Sequence, residues 1–192
     1  MKVFIKNMVC YRCVWAVGKV IKDLKLLGGK VELGVVVFKK PLTQKQLSLF
    51  GTRLKKLRLS ILSDKKDIQV QEIKTLLIKA IDERKLGKRF SLSKYLSAFM
   101  ENDYSHLSKS FSKSQGVTIE QYFILLRLEK VKEWLSYGEL SLNEIAAELG
   151  YSSVQHLSGQ FKKVVGISTS EFKKSFSAQR KFIDQVNVPE TH

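Results

Sequence analysis

The sequence of 192 residues has few of the features that mark membrane, secreted or unstructured chains. It contains only two prolines and 44% hydrophobic residues, which argues against a disordered or collagen-like chain. No segment offers the run of about 18 apolar residues that is needed to cross a bilayer. Near the N-terminus, Lys2, Lys6 and Arg12 interrupt the apolar run that a signal peptide requires. We therefore expect a folded, cytoplasmic protein without a membrane partner.

Patterns typical of enzymes are also missing. The sequence shows no Ser-His-Asp arrangement, no glycine-rich phosphate loop and no pair of carboxylates placed for acid and base catalysis. The two cysteines, Cys10 and Cys13, form one C-x-x-C pair. In a reducing compartment such a pair is typical of metal binding or redox chemistry rather than of a structural disulfide. We expect a protein that is not an enzyme.

Acidic residues are scarce, and their distribution is uneven. Asp and Glu number 18 against 34 Lys and Arg, so the net charge is +16. Residues 1–66 hold 16 Lys and Arg against three acids and have a net charge of +13, whereas residues 67–90 contribute +2 and residues 91–192 only +1. This excess favours an anionic partner, with nucleic acid first, a membrane surface second and an acidic protein third.

The sequence also contains an internal repeat with an offset of 50 residues. Ser91–Tyr122 aligns without gaps on Ser141–Phe172 with eight identities, and most of them fall in the string H-L-S-x-x-F-x-K-x-x-G at residues 106–116 and 156–166. Each copy predicts a capped helix, a short turn and a second helix, which is a helix-turn-helix unit. In the first copy we expect Leu92, Leu96 and Phe99 to face the core.

Between the two copies, apolar residues at helical spacing predict one long helix over Ile119–Tyr137. A helix of some 18 residues is about 27 Å long, which is of the same order as the roughly 34 Å between successive major grooves on one side of DNA. One chain can then bind a bipartite, non-palindromic site on double-stranded DNA across two successive major grooves. A homodimer remains an alternative.

Two runs of residues resemble a known family. They are L-S-L-N-E-I-A-A-E-L-G-Y-S-S at Leu140–Ser153 and H-L-S-G-Q-F-K-K followed by G-I-S-T-S-E-F within His156–Phe172. On these residues, the segment 91–178 is similar to the AraC-type DNA-binding domain. The resemblance implies an all-α, twin helix-turn-helix module of a transcription regulator.

The resemblance also assigns DNA-contacting residues to the second helix of each unit. By position these are Tyr104, Ser105, Ser108, Lys109 and Lys113 in the first copy, and Gln155, His156, Ser158, Gly159 and Lys163 in the second. Gln155 can pair with adenine and Lys109 with guanine, whereas Lys113 and Lys163 lie farther along and suit phosphate. The alternatives are that His106 and His156 are partly buried core residues and that Lys113 and Lys163 lie on a solvated face.

The first third of the chain predicts a separate domain. Strand-like and helix-like segments alternate in the order β-α-β-β-α-β, which is the ferredoxin-like split βαβ arrangement. We therefore expect an α+β protein, with a ferredoxin-like domain over residues 1–64, a connecting helix over 65–90, the all-α twin helix-turn-helix domain over 91–178 and a tail over 179–192.

The loop Met8–Cys13, M-V-C-Y-R-C, resembles the M-x-C-x-x-C loop of the heavy-metal-associated domain. The resemblance covers about residues 1–65 and implies that Cys10 and Cys13 hold Cu(I) or another soft metal ion. A helix N-terminus beside Arg12 is expected to lower the pKa values of both thiols. A thiol redox sensor and a packing or partner contact are the alternatives, and Met8 is expected to anchor the loop in the core.

Together these observations predict a sequence-specific transcription regulator of the AraC type that responds to a soft metal or to thiol redox state through its N-terminal C-x-x-C pair. The alternative is a metal-trafficking module that docks its basic first domain on an acidic protein.

Overall fold

The computed structural model describes residues 1–87 and 90–175. Within them the chain contains four strands and nine helices and divides into two compact units, Met1–Leu76 and a second that begins at Leu77. The predicted tail, residues 179–192, lies outside the described residues. No helix in the described part of the chain is long and apolar enough to cross a bilayer.

The N-terminal unit has the predicted order of elements. They are β1 (Lys2–Lys6), α1 (Tyr11–Asp23), β2 (Gly29–Glu32), β3 (Val35–Phe38), α2 (Gln44–Lys55), β4 (Ser60–Leu62) and the first part of α3 (Lys65–Asp82). Apolar residues at helical spacing predict the first helix from Cys13 to Leu27, whereas α1 begins and ends earlier. Helical spacing likewise predicts a buried Leu57 in the second helix, but Leu57 is exposed because α2 already ends at Lys55.

The four strands form one antiparallel sheet in the order β2-β3-β1-β4. Val3 pairs with Val36, and Ile5 pairs with Ile61. Because side chains alternate along a strand, Val3, Ile5, Val36 and Phe38 share one face of the sheet, and all four are buried. This face lies against α1 and α2 through Val17, Ile21, Phe50 and Leu54, which complete the core.

The loop between β1 and α1 is tied to the rest of this unit. Asn7 has a positive φ of 66°, a conformation that asparagine tolerates better than most residues, and its backbone N–H donates to Oε1 of Gln71. Met8 is fully buried in the core, as predicted. The start of the cysteine loop is therefore held in place by a hydrogen bond and by a buried side chain.

The second unit is helical. After the end of α3 it contains α4 (Leu92–Phe99), α5 (Tyr104–Gln115), α6 (Ile119–Tyr137), α7 (Leu142–Glu148), α8 (Val154–Val165) and α9 (Thr169–Ser175). The pairs α4–α5 and α7–α8 are the two predicted helix-turn-helix units, and α6 connects them as predicted. Between α3 and α4, residues 83–87 are not helical.

The helix ends follow from local sequence. Ser91 and Ser141 cap α4 and α7, and the side chain of Ser141 forms a capping box with Glu144. Gly116 and Gly166 end α5 and α8 with φ values of 72° and 88°, a left-handed conformation that glycine adopts without steric cost. The two copies of the sequence repeat therefore also share the residues that cap their helices.

One expected core residue is on the surface. Phe99 is 62% exposed, whereas its counterpart in the second copy, Leu149, is fully buried. Phe99 is the last residue of α4, and its ring lies against Tyr95 with centroids 5.1 Å apart. The prediction that Phe99 faces the core was wrong, because its ring packs against Tyr95 at the surface instead.

Candidate nucleic-acid interface

The second helices of the two units, α5 and α8, are built alike. Each has 12 residues, and the two are offset by 50 positions. Leu107 and Phe111 of α5 are fully buried, as are Leu157 and Phe161 of α8. Because these residues are four apart, they lie on one side of each helix and fix which side faces outward.

The outward sides of α5 and α8 present the residues that the resemblance assigns to DNA. Seven are exposed and three are half-buried, and none is fully buried. The exposed residues are Ser105, Lys109, Lys113, Gln155, His156, Gly159 and Lys163, and the half-buried ones are Tyr104, Ser108 and Ser158. The alternative that the two histidines belong to the core is wrong, because His106 and His156 are both exposed.

At the start of α5 two of these side chains already have partners within the protein. The Tyr104 hydroxyl donates a hydrogen bond to the carboxylate of Glu120, and burial together with this bond raises the pKa of Tyr104. Ser105 donates to Asp103 Oδ1 at 2.5 Å, a bond that lowers the pKa of that carboxyl. Ser108 and Lys109 lie one turn farther along α5.

At the start of α8 the side chain of His156 is held in place. Its Nδ1 lies 3.1 Å from Oγ of Ser152, and its ring meets Tyr151 edge-on with centroids 5.4 Å apart. The Tyr151 hydroxyl in turn donates to Oε1 of Gln160 at 2.8 Å. Gln155 makes no side-chain hydrogen bond to the described residues and is free to pair with a base edge.

Three lysines complete the outward sides. Lys109, Lys113 and Lys163 are exposed, and none forms a salt bridge with another described residue. Lys113 and Lys163 lie in the last turns of α5 and α8. A flexible ammonium at these positions can reach a phosphate, while the first turns can reach base edges.

Arg127, a cation that stabilises the second unit, was not predicted from the sequence. Arg127 of α6 donates from a terminal guanidinium nitrogen to the Leu149 carbonyl at 3.2 Å. Its guanidinium carbon lies 4.5 Å from the Tyr151 ring centroid and 5.1 Å from that of Phe123. Arg127 thus connects the central helix to the turn between α7 and α8. In sequence it is one of several interleaved charges on α6, and nothing distinguishes it from solvated ones.

The segment after α3 contacts the same turn. A Cβ atom added at Gly150, where φ is 69°, would lie 2.5 Å from the carbonyl oxygen of the buried Leu86. Asp82 pairs with Lys130 at 3.0 Å, and Arg84 pairs with Glu148 at 3.6 Å. Gly150 therefore ends α7 and also allows the preceding segment to approach closely.

In the N-terminal unit the two thiols lie together, with Cys10 Sγ and Cys13 Sγ 3.1 Å apart. The expected lowering of both pKa values was wrong for Cys13. Burial, strengthened by the bond to Cys10, raises its pKa to about 11. No group of three or more His, Cys, Asp or Glu side chains suited to a metal occurs among the described residues, so two thiols are the donor set that this loop supplies.

Comparison with known proteins finds similar sequences for the C-terminal part of the chain. Residues 96–175 match the family model described as a helix-turn-helix domain. The Msm operon regulatory protein of Streptococcus mutans is 32% identical over 95 residues, which are 45% of this chain and 34% of that protein. The xylose operon regulatory protein of Escherichia coli is 35% identical over 69 residues, 36% of this chain and 18% of that protein.

Among solved structures, the C-terminal domain of AraT, a response regulator from Geobacillus stearothermophilus, has a TM-score of 0.49 at 21% identity and covers 62% of this chain and 95% of that one. The chain spans less than half the length of these two curated relatives. The matched family and the matched relatives are transcription regulators, not enzymes. Residues 96–175 are therefore similar to a helix-turn-helix domain that occurs in transcription regulators.

Proposed function

We propose that this chain is a sequence-specific transcription regulator whose helices α5 and α8 enter two successive major grooves of double-stranded DNA. The observation that supports it most directly is the likeness of the two helices. Both have 12 residues, the same buried side and a polar outward side. A helix of this kind after a short turn is the element that helix-turn-helix proteins place in the major groove.

The central helix gives the two units a spacing that suits DNA. α6 has 19 residues, which corresponds to a length of about 28 Å. Successive major grooves on one side of DNA lie roughly 34 Å apart. Because α5 and α8 differ in their outward side chains, the two half-sites differ in sequence, and one chain reads a bipartite, non-palindromic site.

The residue types indicate how each half-site is read. The Gln155 amide can both donate to and accept from the major-groove edge of adenine, and Lys109 can donate to guanine. Ser108 and Ser158 suit either class of base edge. Gly159 has no side chain, so α8 can approach the bases closely at this position.

Selection of binding sites from a pool of random duplexes tests the proposal. We expect an enriched site with two conserved segments whose centres lie about one helical turn apart. The matched control is Lys173→Ala, an exposed lysine of α9 outside the two helices, which should select the same site. Enrichment of no sequence by the wild-type chain would refute specific binding.

For the N-terminal unit we propose a ferredoxin-like domain that binds one soft metal ion such as Cu(I) through Cys10 and Cys13 and thereby influences DNA binding. Support comes from the β2-β3-β1-β4 order and from the 3.1 Å between the thiol sulfurs. Soft thiolate ligands select Cu(I) over harder ions. The raised pKa of Cys13 means that this thiol is protonated at neutral pH, and it must lose its proton to bind a metal ion. Metal binding should therefore strengthen as pH rises.

Titration of the full chain with Cu(I) tests this second proposal. The wild type should bind one equivalent of Cu(I), and Cys10→Ser and Cys13→Ser should each abolish this binding. The control Ser48→Ala, at an exposed residue of α2, should still bind one equivalent. Unchanged stoichiometry in both cysteine variants would remove the metal proposal and leave the DNA proposal untouched.

A further inference from the structure

We propose that the outer surface of α1 and α2 in the N-terminal unit binds the phosphate backbone of double-stranded DNA without reading its sequence. We call this surface the basic helical face. It consists of exposed residues on the two helices and just after α2, namely Tyr11, Arg12, Trp15, Lys19, Lys22, Lys45, Leu49, Arg53, Lys55 and Lys56. The proposal rests on the proposed function in one respect, since the helix-turn-helix units make DNA the anionic partner of this chain.

The cations point outward because the opposite sides of both helices form the core. Val17 and Ile21 of α1 and Phe50 and Leu54 of α2 are buried against the same face of the sheet. The exposed positions of the two helices carry six cations and one acid, Asp23 at the end of α1. Both helices therefore turn the same charge toward solvent on one side of the unit.

Few acids are available to neutralise this charge. Residues 1–66 contain only Asp23, Glu32 and Asp64 against 16 Lys and Arg. Glu32 pairs with Lys30 at 2.7 Å, and Asp64 accepts from the backbone at the start of α3. Within the described part of the chain, no cation of the basic helical face forms a salt bridge. A concentration of unpaired like charges opposes folding and is relieved by an anionic partner.

The composition of the face favours DNA over an acidic protein. Lysine is depleted in protein interfaces, whose centres are apolar patches with few charges. Here the large apolar side chains, Trp15 and Leu49, are each flanked by cations, and Nζ of Lys19 lies 5.9 Å from the Trp15 ring centroid. Lysines spread over a helical surface are typical of phosphate contacts.

The charge of residues 91–192 points the same way. Residues 91–192 hold 12 Lys and Arg against 11 Asp and Glu. Neutralisation of phosphates supplies a large share of the affinity of most DNA-binding proteins. The nearly neutral C-terminal part can select a sequence, and the basic helical face supplies the sequence-independent attraction that it lacks.

The salt dependence of binding tests the proposal on the full chain. The probe is a fluorescein-labelled random 40-base-pair duplex, for which no target sequence is needed. The test variant replaces Lys19, Lys22, Lys45 and Lys56 by Gln. The control replaces four exposed lysines outside the face, Lys2, Lys30, Lys65 and Lys66, by Gln, so both variants lose the same net charge.

The plot of log affinity against log salt should be shallower by about 3.6 in the test variant than in the wild type, since each of the four phosphate contacts contributes about 0.9 to the slope. The control should change the slope by less than about 1. Circular dichroism and thermal unfolding must match the wild type in both variants. Equal changes in the two variants, or no change in either, would overturn the proposal.

A local readout comes from Trp15, which is 72% exposed on this face. In a Trp134→Phe background Trp15 is the only tryptophan, since the chain has two. Added duplex should reduce quenching of Trp15 by acrylamide at least twofold. Unchanged quenching with bound DNA would show that the face stays in solvent and would contradict the proposal.

Two competitors separate DNA from other anions. In one outcome, polyglutamate or phosphatidylserine vesicles protect Trp15 from acrylamide and bind the test variant more weakly than the wild type, whereas the duplex does neither. The face then binds an acidic protein or a membrane surface, and the DNA proposal is wrong. Failure of the proposed function gives a different result, because a chain without sequence preference would still show the slope change of the test variant.

Discussion

At the scale of single residues, Gly150 occupies a backbone position that leaves no room for a side chain. Its φ of 69° is unfavourable for any other residue, and a Cβ atom would lie 2.5 Å from the Leu86 carbonyl oxygen. Gly116 has a similar φ of 72° but no atom within 4 Å of the same position. Comparison of the two separates backbone strain from steric overlap.

We expect Gly116→Ala to lower the free energy of unfolding by about 1–2 kcal/mol, the cost of a left-handed alanine. Gly150→Ala should cost at least about 1 kcal/mol more, because the backbone of Leu86 must also move. Denaturation by urea measures both. Equal losses in the two variants would show that the approach of Leu86 imposes no steric demand.

Also at this scale, Cys13 should react slowly at neutral pH. Burial and the neighbouring Cys10 raise its pKa to about 11, and only the thiolate reacts rapidly with alkylating agents. Its rate of modification by iodoacetamide, followed by mass spectrometry of the cysteine peptide, should keep rising with pH up to about 11. A midpoint at or below the ordinary thiol value of about 8.5 would contradict this expectation.

At the scale of elements, α6 supports the second helix-turn-helix unit through Arg127. Replacement by Met keeps the apolar stem but removes the bond to the Leu149 carbonyl and the contact with the Tyr151 ring. We expect a loss of about 1–3 kcal/mol in the free energy of unfolding. Arg127→Lys should lose nearly as much, because an ammonium cannot reproduce the planar stack.

Hydrogen exchange gives the location of the effect. Amides of α7 and α8 should exchange faster in Arg127→Met than in the wild type, while those of α4 and α5 should change less. Arg53→Met, an exposed arginine of α2, is the matched control and should leave all four helices unchanged. Uniformly faster exchange throughout the second unit would argue against a local brace.

Substitutions in α5 and in α8 should impair the reading of different half-sites. Lys109→Ala should relax the sequence preference of one half-site and Gln155→Ala that of the other, each at a cost of about 1–3 kcal/mol in binding free energy. Competition binding with duplexes that carry single base changes measures this. Lys113→Ala is the control, with a uniform loss for all sequences. If Lys109→Ala and Gln155→Ala behaved like the control, base readout by these residues would be excluded.

At the scale of the whole molecule, the order of elements followed from the sequence because its signals are local. Gly116 and Gly166 end helices, Ser141 and Thr43 form capping boxes, and the 50-residue offset repeats the buried positions. Each of these depends on a few neighbouring residues, so sequence patterns suffice to find them.

Features that depend on distant residues could not be predicted. The bond of Tyr104 to Glu120 and that of Arg127 to Leu149 join residues 16 and 22 positions apart. The raised pKa of Cys13 depends on burial, which the pattern C-x-x-C does not specify. Phe99 was placed wrongly because its repeat partner, Leu149, meets a different environment.

In the proposed function, one chain places α5 and α8 in two successive major grooves of DNA. Hydroxyl-radical footprinting on a selected site, with protein mass in the complex measured by native mass spectrometry, tests it most directly. We predict two protected segments about 10 base pairs apart on the same side of the DNA, with one chain per duplex. A single protected segment, or two segments that require two chains, would contradict the account.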